Sequence, residues 1–335
     1  MSYTKNNKYI FLIIVFTFIA RIIYHTNAPF FEDEGLFLLD SSKDFTNLYV
    51  NTLYMKPFFG AYYYHLIYTI FAEKSFFALH ISTTIFIIIS NVLLYVIIKS
   101  YTQNNFISLI APLSFLTFTN LSVGGYAHSS LEYFQLVFLL GSYYFIFINS
   151  MQNRTGLILL TFAFMIKQNV FLIIFALLKD IFKEWKLALF VISLWMFIAF
   201  TVFNNFFFNN LTFPLQYYNN AISLSSRLYC FYIFFLKAGY GFASLILFGA
   251  ILSFILFYKN YKKEFLFILL LALSLLSTPL YPQHFIAIFP FLVIVFSIGF
   301  NNIYIKYYSK LHTVVLGGVV LLLIFNFLKI YKNYK

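Results

Sequence analysis

Charge is scarce in this sequence. Of 335 residues only 10% are Asp, Glu, Lys or Arg, against about 25% in ordinary soluble domains. Acids are the scarcer sign, 10 against 22 basic residues. One cysteine, Cys230, excludes a disulfide framework and any cluster of thiolate metal ligands. The six histidines, His25, His65, His80, His128, His284 and His312, have no metal-ligand spacing, so a zinc site is not expected. No glycine-rich phosphate cradle and no nucleophile elbow occurs, which argues against nucleotide hydrolysis and serine-hydrolase chemistry.

What the chain has instead is apolar length. Hydrophobic residues make up 62% of it and the mean hydropathy is +0.86. Long apolar runs recur from Tyr9 to Phe327. The fold class expected is therefore all-α, a polytopic helical membrane protein. About eleven spans of ~20 residues use some 220 positions, so residues 1–335 read as one transmembrane domain without a separate soluble C-terminal domain. Phe (49) and Tyr (28) dominate the aromatics. With Ile, Asn and Lys they share A/T-rich codons, so part of the bias records base composition. The net charge of +12 marks cytoplasmic loops in such a protein rather than a nucleic-acid partner.

The charges also orient the chain. A first span over 9–24 follows Lys5 and Lys8 and lacks a small-residue cleavage site, so its N-terminus is inside. The acidic stretch His25–Lys56 follows, with Glu32, Asp33, Glu34, Asp40 and Asp44. Pro57 opens the aromatic segment 58–71, whose fourteen residues rise ~21 Å as a helix, short of the ~30 Å hydrocarbon core. If it lies flat, spans follow at 76–98, 106–121, 131–149, 155–169, 170–182, 187–208, 239–258, 264–280, 284–300 and 311–328. Twelve of the basic residues then face the cytoplasm and eight face out. If 58–71 crosses, the two numbers exchange, against the positive-inside tendency. The flat reading is preferred, with 25–75 an outer loop carrying interfacial helices, although it leaves the basic tail Lys329–Lys335 outside. The pair of spans within 155–182 is the shortest and is separated only by Lys167-Gln168.

This orientation gathers Asp33, Glu34, Lys56, His80, His128, Glu132, Lys167, Gln168, Arg227, Tyr281 and His284 at the outer face. Three consecutive carboxylates, Glu32-Asp33-Glu34, repel one another unless a cation or hydrogen-bond donors compensate. They are either a solvated acidic loop or a general base for a hydroxyl acceptor. Lys167 follows an apolar run and is costly in lipid without a partner. It either snorkels to the interface or meets a phosphate. Glu132, after Ser129 and Ser130, either caps its helix or lines a site. Pro279 and Pro282 are ordinary turn markers around Tyr281 and His284.

In their order these motifs resemble the membrane-embedded GT-C glycosyltransferases, in the branch of the dolichyl-phosphate-mannose protein mannosyltransferases and the aminoarabinose transferases of lipid A. The resemblance is carried by Asp33-Glu34-Gly35-Leu36-Phe37, Lys56-Pro57-Phe58-Phe59, Ala61-Tyr62-Tyr63-Tyr64, Phe77-Ala78-Leu79-His80, Ile166-Lys167-Gln168 and Tyr281-Pro282-Gln283-His284-Phe285. It spans about residues 8–300. His80 stands where the family usually has Arg. The resemblance implies a polyprenyl-phosphate sugar as donor and a lipid, glycan or protein as acceptor. It also implies inversion at the anomeric carbon, and no cofactor or catalytic metal. Asp33 would be the base, with Glu34 orienting it or binding the acceptor. Lys167, Arg227 and His284 would hold the phosphate, and Lys56, His80, Glu132, Gln168 and Tyr281 would line the site. The expected location is a prokaryotic plasma membrane, with the site on the extracytoplasmic side. The rival readings are a transporter or flippase for a lipid-linked saccharide, or an O-antigen polymerase or ligase. The first is disfavoured because no internal repeat is found, the second because only Arg227 recommends it.

Overall fold

A computed structural model describes residues 3–25, 58–119, 131–167, 170–201, 242–277 and 285–305, with Ser225, Leu228, Tyr229 and Tyr232. Among these residues every regular element is helical. The helices are α1 (Tyr3–His25), α2 (Phe58–Phe71), α3 (Ser75–Thr102), α4 (Asn105–Thr119), α5 (Leu131–Tyr143) and α6 (Asn153–Ile166). They continue as α7 (Ile173–Ala176), α8 (Leu178–Lys183), α9 (Trp185–Thr201), α10 (Phe242–Phe257), α11 (Lys262–Ser277) and α12 (Phe289–Ile305). Two stretches, Phe59–Thr102 and Leu131–Ile148, are long and apolar enough to cross a membrane. The second gains its length from a π turn over Tyr144–Ile148 that prolongs α5.

The apolar residues divide into an inner and an outer set. On α1 the buried stripe is Ile13, Thr17, Ala20 and Arg21, while Phe11, Phe16, Phe18 and Ile22 are exposed. On α10 Ala243, Ile246 and Ala250 are buried, whereas Phe248, Leu252 and Ile255 face outward. A helix apolar on every side needs an apolar surround as well as a core, and lipid supplies one. Inside, small residues let helices approach. A β-carbon at Gly299 of α12 would collide with Ser253 of α10, and one at Gly156 of α6 would meet Ile146 and the Ser142 carbonyl. Close approach of this kind is how helices associate where lipid removes the hydrophobic drive between them.

Pairwise contacts fix the direction of each helix. Tyr9 stacks on Tyr95 and Thr17 accepts a 3.1 Å hydrogen bond from Asn91, so α1 and α3 are antiparallel. Gln103, with φ of 52°, ends α3 by donating its N–H to the Lys99 carbonyl. The chain then returns along α4, α5 and α6 in alternation. One end of the bundle holds the start of α5 and the end of α6, where Lys167 lies. The opposite end holds the start of α6, where Arg154 lies. Because α1 arrives at the Lys167 end and α3 departs from it, the connection 26–74 leaves and returns on the same side.

Helix α2 stays with that end. Its Tyr63, Tyr64 and Ile67 are buried in one cluster with Ala78 and Leu79 of α3, Leu131 of α5 and Ile166 of α6, and Ala61 is buried too. The Tyr63 and Ser82 hydroxyls are 2.5 Å apart. Ala72, at φ of 44°, turns the chain from α2 into α3.

Two expected spans change in detail. Residues 170–182 are two short helices, α7 and α8, rather than one. They nevertheless run back along α11, since the Leu172 N–H reaches Ser274 Oγ at 3.4 Å and Asp180 pairs with Lys263 at 2.5 Å. The break is at Leu177, whose φ of −112° and ψ of 8° leave the helical region. Helix α12 begins at Phe289, five residues later than the expected span at 284–300. The expected span 311–328 lies outside the described residues.

Candidate functional site

At the Lys167 end, among the described residues, the side chains of one arginine, one glutamate and one lysine are withdrawn from solvent. Arg21 is fully buried, and the Glu132 and Lys167 side chains are 4% and 10% exposed. The Lys167 ammonium donates to Glu132 Oε1 in an ion pair between α5 and the end of α6. An unpaired ammonium here would cost several kcal/mol, about the penalty for burying an uncompensated ion.

The backbone explains how Lys167 comes to be there. Helix α6 stops at Ile166, and Lys167 is extended at φ −156° and ψ 127°. Ending a helix inside an apolar bundle leaves carbonyls that must find donors. Gln135 adds to this end: its Nε2 donates at 3.0 Å to the Ala163 carbonyl, which also accepts the Lys167 N–H, and at 2.7 Å to the Lys167 carbonyl beyond the helix. Glu132 and Gln135 lie one turn apart on α5, so one helix holds Lys167 by its charge and by its backbone.

Arg21 closes the other side. Its Nη1 donates to the Thr119 carbonyl at 2.6 Å, joining the ends of α1 and α4. Tyr133, next to Glu132 in α5, is fully buried, and the charges of Arg21 and Glu132 both act on its hydroxyl. His80 is on the same end, 5% exposed, its ring 4.5 Å from Phe76 and its carbonyl accepting from Thr84 Oγ1. Its neighbours Ala78 and Leu79 pack on Leu131 and Ile166, the residues preceding Glu132 and Lys167.

An apolar cavity of about 330 Å³ runs along α6 from Leu157 to Met165, between α6, α7, α8 and α9. Met165 and Val170, on either side of Lys167 in sequence, belong to its lining, as do Phe164, Ile174, Val191 and Trp195.

Of the residues expected at the site, the structure brings Glu132 and Lys167 into contact and places His80 at the same end. Asp33, Glu34, Lys56, Gln168, Arg227, Tyr281 and His284 lie outside the described residues. Among the described residues no group of three or more His, Cys, Asp or Glu is placed to hold a metal. Arg21 and Gln135 were not among the expected residues. Arg21 had a sequence signal, an arginine inside an apolar span on the Ile13, Thr17, Ala20 stripe. Compared with known protein families and with curated proteins, the sequence matches none.

Proposed function

We propose that the chain is an integral-membrane glycosyltransferase of the GT-C kind, with about eleven spans, taking its sugar from a polyprenyl-phosphate donor. The observation that supports this best is the buried Glu132–Lys167 pair, at the end where α1 delivers the chain to the acidic connection and α2 takes it up again. That topology brings both ends of the segment carrying Asp33 and Glu34 to the side where Lys167 sits.

In this reading an acceptor hydroxyl gives its proton to the Asp33 carboxylate as its oxygen attacks the anomeric carbon. The bond from that carbon to the phosphate oxygen breaks, the configuration inverts, and polyprenyl phosphate leaves with the electron pair. An ammonium has three donors. Glu132 engages one, which fixes the direction of the group and leaves others for the phosphate oxygens, where fixed positive charge stabilises the leaving group. Arg227 and His284 are assigned to the same phosphate, Glu34 to the acceptor, and Lys56, Gln168 and Tyr281 to the walls. The apolar cavity between α6, α7, α8 and α9 suits isoprene units of the tail. Residues 25–75 form the outer loop with α2 at the interface, and the site faces away from the cytoplasm of a prokaryotic cell.

The test is transfer from a panel of polyprenyl-phosphate sugars by purified protein. Asp33→Asn is expected to abolish transfer while expression and membrane insertion stay normal. Full activity in that variant overturns the assignment.

A further inference from the structure

The segment Leu178-Lys179-Asp180-Ile181-Phe182-Lys183-Glu184-Trp185-Lys186 joins α8 to α9 at the Arg154 end and holds three lysines against two acids. Both acids are engaged by other helices: Asp180 pairs with Lys263 of α11 and Glu184 with Arg154 of α6. Lys179, Lys183 and Lys186 are exposed, and none of them pairs with an acid among the described residues. The tertiary pairs therefore leave three uncompensated ammonium groups on a segment that is nearly neutral by composition. Lys179 and Lys183 lie one helical turn apart, where like charges repel, so an anion bound between them relieves a cost that the fold itself leaves standing.

The same surface is apolar. Phe182 and Trp185 are 71% and 54% exposed, and Leu178, Leu189 and Phe190 are exposed on the same two helices. Lys186 holds its ammonium 5.7 Å from the centre of the Trp185 ring. Bulky apolar side chains interleaved with lysines suit neither water nor hydrocarbon alone. They suit the boundary between the two, where tryptophan rings anchor and lysine stems reach toward the headgroups.

We propose that the α8–α9 junction is a binding site for an anionic phospholipid. Its phosphodiester lies on Lys179 and Lys183 with Lys186 beside it, and its acyl chains run over Phe182, Leu189 and Phe190. The proposal rests on the reading of the chain as membrane-spanning and is independent of the sugar transfer. Charge complementarity selects an anion, because the negative headgroup meets cations that no carboxylate already answers. The exposed Phe182 and Trp185 select a lipid over a free phosphate, which would leave both side chains in water. A zwitterionic headgroup carries its own cation and gains less. Basic side chains at a bilayer surface recognise anionic headgroups in this way.

The chain has two tryptophans, Trp185 and Trp195, so Trp195→Phe leaves Trp185 as the sole fluorescent reporter. The full chain with this substitution is reconstituted in vesicles of phosphatidylcholine and phosphatidylglycerol, with bromine on the acyl chains of one lipid or the other. At equal fractions of brominated lipid, brominated phosphatidylglycerol is expected to quench Trp185 more strongly than brominated phosphatidylcholine. Lys183→Gln should lower that preference about fivefold, the value of one basic side chain at an anionic surface. Lys179→Gln, Lys183→Gln and Lys186→Gln together should abolish it. Lys259→Gln with Lys262→Gln, exposed at the turn from α10 to α11, should leave it unchanged. The proposal is overturned by equal quenching from the two lipids, or by an equal loss of preference in the Lys259 and Lys262 variant. Displacement by millimolar glycerol phosphate also overturns it, since that marks a site for free anions. Resistance to alkaline extraction is measured on the same vesicles. A chain that washes off overturns the membrane reading, whereas an inserted chain without the preference overturns this site alone.

Discussion

The two ends of the bundle use the same chemistry in opposite surroundings. At the Lys167 end, Glu132 and Lys167 pair with side chains 4% and 10% exposed. At the Arg154 end, Arg154 pairs with Glu184 at 2.7 Å with side chains 75% and 16% exposed, and Lys263 pairs with Asp180 with side chains 45% and 17% exposed. Water competes for the second set and not for the first. The exposed pairs tie α6, α8 and α11 together where the chain turns, and each contributes little because screening and side-chain entropy oppose it. The buried pair contributes little net stability either, since desolvation offsets its attraction, yet it is expensive to break. That asymmetry argues for a role other than holding the fold, because a pair of apolar residues would hold α5 to α6 as well.

The largest effect expected is therefore from breaking the buried pair. Glu132→Ala leaves the Lys167 ammonium buried alone and should cost about 3–5 kcal/mol, read as a fall in the thermal unfolding midpoint of the solubilised chain. The double variant Glu132→Leu with Lys167→Met should recover most of that loss while abolishing sugar transfer. A single variant no less stable than wild type would mean that water reaches the pair, and the contrast between the ends would collapse. Next in size is Gln135→Leu. It removes the donor to two carbonyls at the end of α6, with an expected cost of about 1–3 kcal/mol. The same variant should raise KM for the donor more than it lowers kcat, because Lys167 loses its backbone anchor but keeps Glu132. Equal effects on both would place Gln135 in the chemical step instead.

How much of this was legible in the sequence differs between elements and contacts. Helix positions were: Leu131–Ile148 falls on the expected span 131–149, and Lys262–Ser277 on 264–280. Such spans are local, written by apolar length and ended by Lys or polar residues. The direction of α1 against α3 follows from the positive-inside count, which needs only composition. Residues 170–182 are not one helix because the chain breaks at Leu177, inside an apolar stretch that carries no breaker residue. Glu132 and Lys167 could each be suspected as costly in lipid, but not that each answers the other. Gln135 gave no sign, since it acts on the carbonyls of Ala163 and Lys167, and backbone acceptors have no signature in side-chain identity.

The smallest effect belongs to the exposed pair, and it sharpens the comparison most economically. Arg154→Ala should change stability by only about 0–1 kcal/mol. Whatever remains should vanish at high salt, where the screening length falls to about 3 Å at 1 M. The buried pair, sheltered from ions, should keep its cost at the same salt concentration. Unfolding midpoints of Arg154→Ala and Glu132→Ala, each at low and high salt, thus separate two mechanisms with one measurement. If salt erases the cost of Glu132→Ala as well, the Lys167 end is open to solvent ions. For the proposed glycosyl transfer, Lys167 would then meet the donor phosphate in water rather than in a protected site, and the leaving-group stabilisation proposed for it would shrink accordingly.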